Sequence, residues 1–271
     1  PQEVATSMTY IPLFGLNIKD TTLDEAGASI VADAHKNNRC KVFFLNAHCV
    51  NVAANNANYL QVLQDQALLY ADGSGMRYAA KMAGFWLRDN VNGTDLFPII
   101  CREAAREQVS LGLLGARPGI AQQCADNMKK QFPHLNIVWT HDGYFNPNDA
   151  ESIIHSINDS GAQILLIAMG VPNQELWIAR HAEKLQAPIL MGVGALFDFY
   201  SGIIPRAPYF IRKLGLEWVF RLMMEPKRMF ARYVLGNPIF MMRVLWRRLK
   251  GRKALQQQPL IHNVQQSLNK V

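Results

Sequence analysis

Residues 163–175 read Gln163-Ile164-Leu165-Leu166-Ile167-Ala168-Met169-Gly170-Val171-Pro172-Asn173-Gln174-Glu175. A short apolar run stops at a glycine, and a proline then opens a stretch with helical periodicity that continues to Leu185. The run has the composition of a buried strand, and proline suits the first turn of a helix because no intrahelical donor is needed there. Strand, tight loop and helix in that order are the repeating unit of a parallel sheet.

The same unit recurs on both sides. Residues 41–46 (KVFFLN), 110–115 (SLGLLG) and 188–193 (PILMGV) are apolar runs of the same kind, and residues 136–140 (NIVWT) form a more polar one. Helical periodicity fills residues 117–132, 148–160 and 172–185. The alternation predicts an α/β domain, with a Rossmann-like, mostly parallel sheet and helices on both faces. Ligands of such sheets bind beyond the carboxyl ends of the strands. The residues to examine are therefore Asn46 and His48, the Gly115–Gly119 loop with Arg117, residues 141–145, residues 169–175, and Gly192 to Ala195.

A chain of 271 residues, 49% hydrophobic, can bury a full core. Its net charge of +7 is unevenly placed. Residues 1–205 carry 14 basic against 19 acidic side chains, a balance of −5, whereas residues 206–271 carry 14 against 2, a balance of +12. Such a block implies an anionic partner, whether nucleic acid, anionic lipid or a phosphorylated substrate. Cys40, Cys49, Cys101 and Cys124 form no C-x-x-C pair, so reduced thiols in a cytoplasmic protein are expected rather than a disulfide scaffold or a structural metal. No stretch reaches the roughly 20 apolar residues of a bilayer span, and the first residues lack a signal-peptide layout.

Beyond Pro205 arginine and lysine interleave with Trp, Phe, Leu and Met. Three amphipathic helices are expected over 209–224, 226–235 and 239–250, broken at Glu225-Pro226 and at Gly236-Asn237-Pro238. In the last, Arg243, Arg247 and Lys250 fall on one face, a pattern suited to an anionic membrane surface. The expected organisation is a catalytic α/β domain over 1–205, a basic helical appendage over 206–250 and a polar tail over 251–271. Truncation near Pro205 is expected to leave a folded body. Helices that dock on their own body and helices that pair with a second copy share this pattern, so a homo-oligomer stays open.

Several stretches suit chemistry. Asp72 stands in Asp72-Gly73-Ser74-Gly75, where glycines allow close approach of a ligand and a partly desolvated carboxylate can serve as a base. The competing account is an Asp capping the next helix. Asn92-Gly93-Thr94-Asp95 precedes an apolar-periodic run, with Thr94 or Asp95 expected as its cap and anion or sugar binding as the other use. The loop from Gly115 through Arg117 to Gly119 suits a phosphate-bearing ligand but matches neither G-x-G-x-x-G nor G-x-x-x-x-G-K-[ST], so a nicotinamide-dependent oxidoreductase is disfavoured. Gln174 can read a ligand's amide or hydroxyl edges, or simply cap a helix. No Asp-x-Asp occurs, which weakens a metal-held nucleotide diphosphate. His48, His141 and His181 are each isolated, and a structural role suits each best.

Taken in order, these pieces resemble the WecG/TagA/CpsF glycosyltransferase family. They are Asn46, Ala71 to Gly75, Asn92 to Leu96, Leu114 to Gly119, Asp142 to Phe145, Met169 to Glu175, Gly192 to Asp198, Arg206-Ala207-Pro208 and Gly215 to Trp218. The resemblance covers about residues 11–248. It implies metal-independent, inverting transfer from a UDP-sugar to a sugar on undecaprenyl diphosphate, with no cofactor, at the cytoplasmic face of the inner membrane. It implies Asp72 as general base, Asn46 and Gln174 lining the site, and Arg221 and Arg228 of the appendage closing over the donor diphosphate. It further points to Gly73, Gly75, Asn92, Thr94, Asp95, Gly115 and Arg117 as substrate-binding positions.

Three positions depart from the family's pattern. Phe44 stands where many members have Thr, Asn90 where many have Arg, and Ala231 where one of the paired appendage arginines is expected, leaving Arg232. The stretches around residues 44–49 and 89–95 are more similar to the exopolysaccharide branch, exemplified by the xanthan β-1,4-glucosyltransferase, than to the N-acetylmannosamine branch. Glucose is thus the favoured sugar, with N-acetylmannosaminyl or N-acetylmannosaminuronyl transfer as the alternative. A basic nucleic-acid-binding protein is the reading from another class. The apolar residues among 239–246 argue against it, and no nucleic-acid partner is expected.

Overall fold

The structure is a computed structural model that describes residues 9–208, 210–211 and 216–261. Its strands are β1 (Tyr10–Leu13), β2 (Leu16–Lys19), β3 (Cys40–Leu45), β4 (Ala67–Ala71), β5 (Leu111–Gly115), β6 (Ile137–His141), β7 (Ile164–Ala168) and β8 (Ile189–Gly192). They form one sheet in the order β1-β2-β4-β3-β8-β7-β5-β6. Only β1 and β2 pair antiparallel. Their two-residue turn, Phe14-Gly15, has positive φ at both positions (58° and 73°), which matches the twist of a hairpin. β5, β7 and β8 are wholly buried, as expected of strands covered on both faces.

The covering helices are α1 (Leu23–His35), α2 (Ala47–Ala53), α3 (Ala57–Gln64), α4 (Ser74–Ala83), α5 (Gly93–Glu107), α6 (Ile120–Gln131), α7 (Ala150–Asp159), α8 (Asn173–His181) and α9 (Leu196–Tyr200). α1, α5, α6 and α9 enclose one core, built on Ile30, Val42, Phe97, Leu113, Leu166 and Phe197. α2, α3, α4, α7 and α8 enclose the other, built on Phe43, Leu45, Tyr59, Leu69, Ile167 and Leu190. The predicted α/β layout and its five strands are present. The hairpin strands and β4 are additional.

The C-terminal quarter continues with α10 (Glu217–Met224), α11 (Pro226–Met229), a π-helical stretch (Phe230–Leu235), α12 (Gly236–Leu249) and α13 (Arg252–Gln257). The first expected helix, 209–224, falls partly outside the described residues. No break occurs at Gly236-Asn237-Pro238, because Pro238 sits in the first turn of α12, where its missing N–H costs nothing. α12 lies across α2 and α4. Phe240, Val244, Leu255 and Leu260 join the same core as Phe43 and Leu45.

The expected polar tail also differs, since residues 252–261 dock on the hairpin. Phe14 and Gly15 donate their amides to Leu255 O (2.8 Å) and Gln256 O (3.0 Å). Arg247, expected to face lipid, is only 2% exposed. It donates to Gln258 O (2.5 Å) and Pro259 O (2.8 Å), with its guanidinium 5.9 Å from the Phe14 ring centre. The amphipathic pattern placed it with Arg243, but carbonyls at the end of a returning chain are the partners it finds. Arg243 is half-buried, and Lys250 alone of the three is exposed, lying over Trp246.

Truncation near Pro205 should therefore not leave a stable body. It removes four buried apolar side chains worth about 1.5–3 kcal/mol each, and loss of the cooperative thermal transition checks this. Arg247→Ala should cost about 2–3 kcal/mol. It should also speed hydrogen exchange at the amides of Phe14 and Gly15, read by mass spectrometry.

Candidate functional site

Asp72 follows β4 directly, and its amide donates to Leu45 O at the end of β3 (2.9 Å), so the two strand ends are tied together. Asn46, the residue after β3, uses both ends of its side chain. Its Oδ1 caps α2 by accepting from Cys49 N (3.1 Å), and its Nδ2 donates to Asp72 Oδ2 (3.2 Å). The next helix, α4, is capped by Gly73 at φ 90° with no side-chain cap, so Asp72 is not held there as a capping residue. Instead Gly73 N donates to Asn90 Oδ1 (2.6 Å), which gives the departure at that position a structural use. Gly75 is where the appendage touches the loop: a Cβ there would meet the Phe240 ring at 3.3 Å and Ala47 at 3.5 Å.

Asp72 borders two cavities, of about 710 and 370 Å³. The larger lies over the ends of β3, β5, β7 and β8, and Arg117, Arg221, Arg228 and Arg232 line it. The smaller lies between the Gly73–Gly75 loop and the appendage, and His48, Asn90, Glu217, Trp218, Tyr233 and Phe240 line it. Asn46, Asp72, Thr94, Phe199, Arg221 and Arg232 border both. Burial pushes the Asp72 carboxyl up from its usual range, against the downward pull of the Asn46 hydrogen bond and of Arg232 and Arg221. The result is a carboxylate with more affinity for a proton than an exposed one. Burial, aided by Arg232, holds His48 down at about 4, so its ring is neutral.

The arginines that border both cavities are unusual in their partners. Arg221 Nε and Nη2 and Arg232 Nε are buried and without a hydrogen-bond partner among the described residues. The Arg221 guanidinium lies 5.0 Å from the Phe199 ring centre. Arg228 pairs with Glu225 (2.8 Å) at the rim. Buried unmatched guanidinium donors are costly and favour an anion with several oxygens. Among the described residues no three His, Cys, Asp or Glu side chains gather where they could hold a metal ion.

Other expected positions serve the frame. Asn92, rather than Thr94 or Asp95, caps α5: its Oδ1 accepts from Asp95 N (2.8 Å) and its Nδ2 donates to Asp95 Oδ2 (2.6 Å). Asp95 also pairs with Arg206, so it joins the body to the start of the appendage and borders neither cavity. Gly115 is internal. Its Cβ would fall 2.4 Å from Ala168 O, so only glycine lets β5 and β7 end side by side. Gln174 lines the larger cavity, but its polar atoms are engaged, Oε1 accepting from Gly170 N (3.2 Å) and Gly194 N (2.9 Å) and Nε2 donating to Glu175 Oε1 (2.8 Å). It ties two cavity loops together. Phe44 packs on Tyr70 and against Gly93 at the cavity floor.

Reading motif by motif gave Glu217 no role beyond its place in the Gly215 to Trp218 stretch, passed over Tyr233 and Phe240, and placed Arg232 only as the remainder of a pair. For Tyr233 and Phe240 the signal available was the alternation of basic and aromatic residues beyond Pro205.

Glu175 supports the cavity from behind. It is 1% exposed, and its Oε2 has no partner among the described residues. Burial raises its pKa from 4.5 to about 7, so the fold favours the protonated acid. That stabilisation is fully present below the unfolded value and is lost as pH rises through the folded one. Relative to Glu175→Gln, the native chain should lose roughly 3 kcal/mol between about pH 4.5 and pH 7 and no more above it, as read from thermal unfolding of both proteins across that range.

The profile of the glycosyl transferase WecG/TagA/CpsF family matches residues 11–254. The chain belongs to that family and is a glycosyl transferase.

Proposed function

We propose that this glycosyl transferase moves a hexosyl group, glucose in the first instance, from a UDP-sugar to a sugar carried on undecaprenyl diphosphate. The product is an intermediate of exopolysaccharide or another cell-surface polysaccharide. Transfer proceeds with inversion and without a metal ion. The observation that carries the reading is the meeting of two cavities at Asp72, one rich in arginine and one polar and aromatic.

The donor occupies the larger cavity, with its diphosphate against Arg221, Arg232, Arg228 and Arg117. The acceptor sugar occupies the smaller. Asp72 takes the proton of the acceptor hydroxyl as that oxygen attacks the anomeric carbon from the face opposite the leaving group. The bond from that carbon to the diphosphate oxygen breaks, and UDP departs carrying the electron pair. Its growing charge is met by fixed guanidinium groups that need no reorganisation at that moment.

The lipid of the acceptor keeps the reaction at a membrane, and the appendage suits one. Among the described residues, thirteen of the sixteen exposed large apolar side chains lie between Ile203 and Leu249. They include Met223, Phe230, Leu235, Met242, Leu245, Trp246 and Leu249. Lys227, Arg248 and Lys250 are interspersed with them. No described helix is long and apolar enough to cross a bilayer, so the reading is peripheral attachment to anionic lipid at the cytoplasmic face of the inner membrane.

Purified protein should release UDP from UDP-glucose in the presence of EDTA. Asp72→Asn should lower turnover by about 10²–10⁴-fold while UDP binding, read by calorimetry, stays within twofold. Full turnover in that variant would remove Asp72 from the chemistry. Leu245→Ser combined with Trp246→Ser should reduce co-sedimentation with anionic vesicles and leave UDP binding unchanged.

A further inference from the structure

Cations divide unevenly between the two cavities. Arg117 and Arg228 border only the larger, and Arg221 and Arg232 border both. Among the described residues the smaller adds no cation of its own, because His48 is held neutral there. Its one charged group among them not shared with the larger cavity is Glu217, in the first turn of α10. The Glu217 carboxylate is partly buried and has no hydrogen bond or ion pair among the described residues, unlike Asp95 and Glu225 nearby. Burial raises its pKa above the usual carboxylate value, with Asp72 and Asp95 adding to the rise and Arg206 and Arg221 opposing it. Beside it stand Trp218 and Tyr233, edge to face with ring centres 6.1 Å apart, and the amides of Asn90 and Asn92.

An acceptor-only carboxylate, neutral amides and an imidazole arranged beside aromatic faces suit a ligand that donates hydroxyl hydrogens and has one apolar face. With Asp72 and Glu217 set against Arg221 and Arg232, the described lining carries no net positive charge to draw an anion. We propose that Glu217 is a specificity-determining residue of the transfer. Its carboxylate accepts hydrogen bonds from hydroxyls of an uncharged acceptor sugar in the smaller cavity and repels a ring that bears a carboxylate. This rests on the reading above for the acceptor's place beside Asp72, and it adds the chemical class of that acceptor ring.

The test uses the full chain and two probes, methyl β-glucopyranoside and its 6-carboxylate, the methyl glucuronoside, with binding followed by saturation-transfer NMR. UDP binding is measured in parallel. The native chain should prefer the neutral probe by about tenfold or more, the worth of a hydrogen bond to a charged group. Glu217→Ala should weaken the neutral probe by about tenfold. Glu217→Gln keeps the shape and removes the charge, so the preference for the neutral over the anionic probe should collapse towards unity. UDP affinity should stay within twofold in both variants.

An unchanged preference in Glu217→Gln, or no binding of the neutral probe by the native chain, would overturn the inference. So would a parallel fall in UDP affinity, which would mark a general effect on the fold. Absence of UDP binding by the native chain, with the glycoside pattern intact, would overturn the donor assignment and leave Glu217 in its role.

Discussion

Phe240 rests against Gly75 and Ala47, and most of what the site can do follows from that contact. The strand ends supply Asp72 and Asn46 but leave them at the open top of a sheet, where water would surround the carboxylate. Seating α12 across α2 and α4 turns that open top into a wall on one side of Asp72 and brings Arg232 and Tyr233 over it. A Cβ at position 75 would stand 3.3 Å from the ring and push it back by a few tenths of an ångström. The appendage is thus part of the core, and the returning chain at Leu255 and Leu260 fastens it to the hairpin.

The electrostatics of Asp72 are a balance between two effects of that closure. Burial raises the Asp72 pKa and so favours the protonated carboxyl, which cannot act as a base. The nearby guanidinium groups favour its ionised form, while Asp95, held by Arg206 and Asn92, opposes them from a distance. Arg221 and Arg232 border both cavities at once. On the proposed reading they would draw the donor's phosphates and also keep Asp72 ionised, so a substitution at either position would affect binding and proton transfer together.

Much of the frame is legible from residues alone. β3, β5, β6, β7 and β8 are short apolar runs bounded by turn residues, and from β5 onward the intervals between them carry helical periodicity. β4 is not legible in that way, because ALLYA is rich in alanine and leucine, which suit a helix equally well, and no glycine or proline precedes it. β1 contains Pro12, which is acceptable because it lies at the sheet edge. Asp72 and Asn46 stand out because local chemistry marks them. Glu217, Tyr233 and Phe240 do not, since their place comes from a cavity shared with Asp72 and the Gly73–Gly75 loop, more than 140 positions earlier in the chain. Arg247 shows the same limit in reverse: its spacing matched a surface stripe, while its partners are carbonyls that periodicity cannot reveal.

The π-helical stretch from Phe230 to Leu235 runs without interruption into α12. A π turn holds one residue more than an α turn, so it sets the angular phase of everything after it. Each residue of an α-helix advances about 100° around the axis. Without the extra residue, Phe240 would turn away from Gly75, and a neighbouring side chain of different size would face the loop. The wide turn therefore works as a clocking element: one surplus residue, in the same stretch that carries Arg232 and Tyr233 to the cavities, decides which face of a fourteen-residue helix forms the wall.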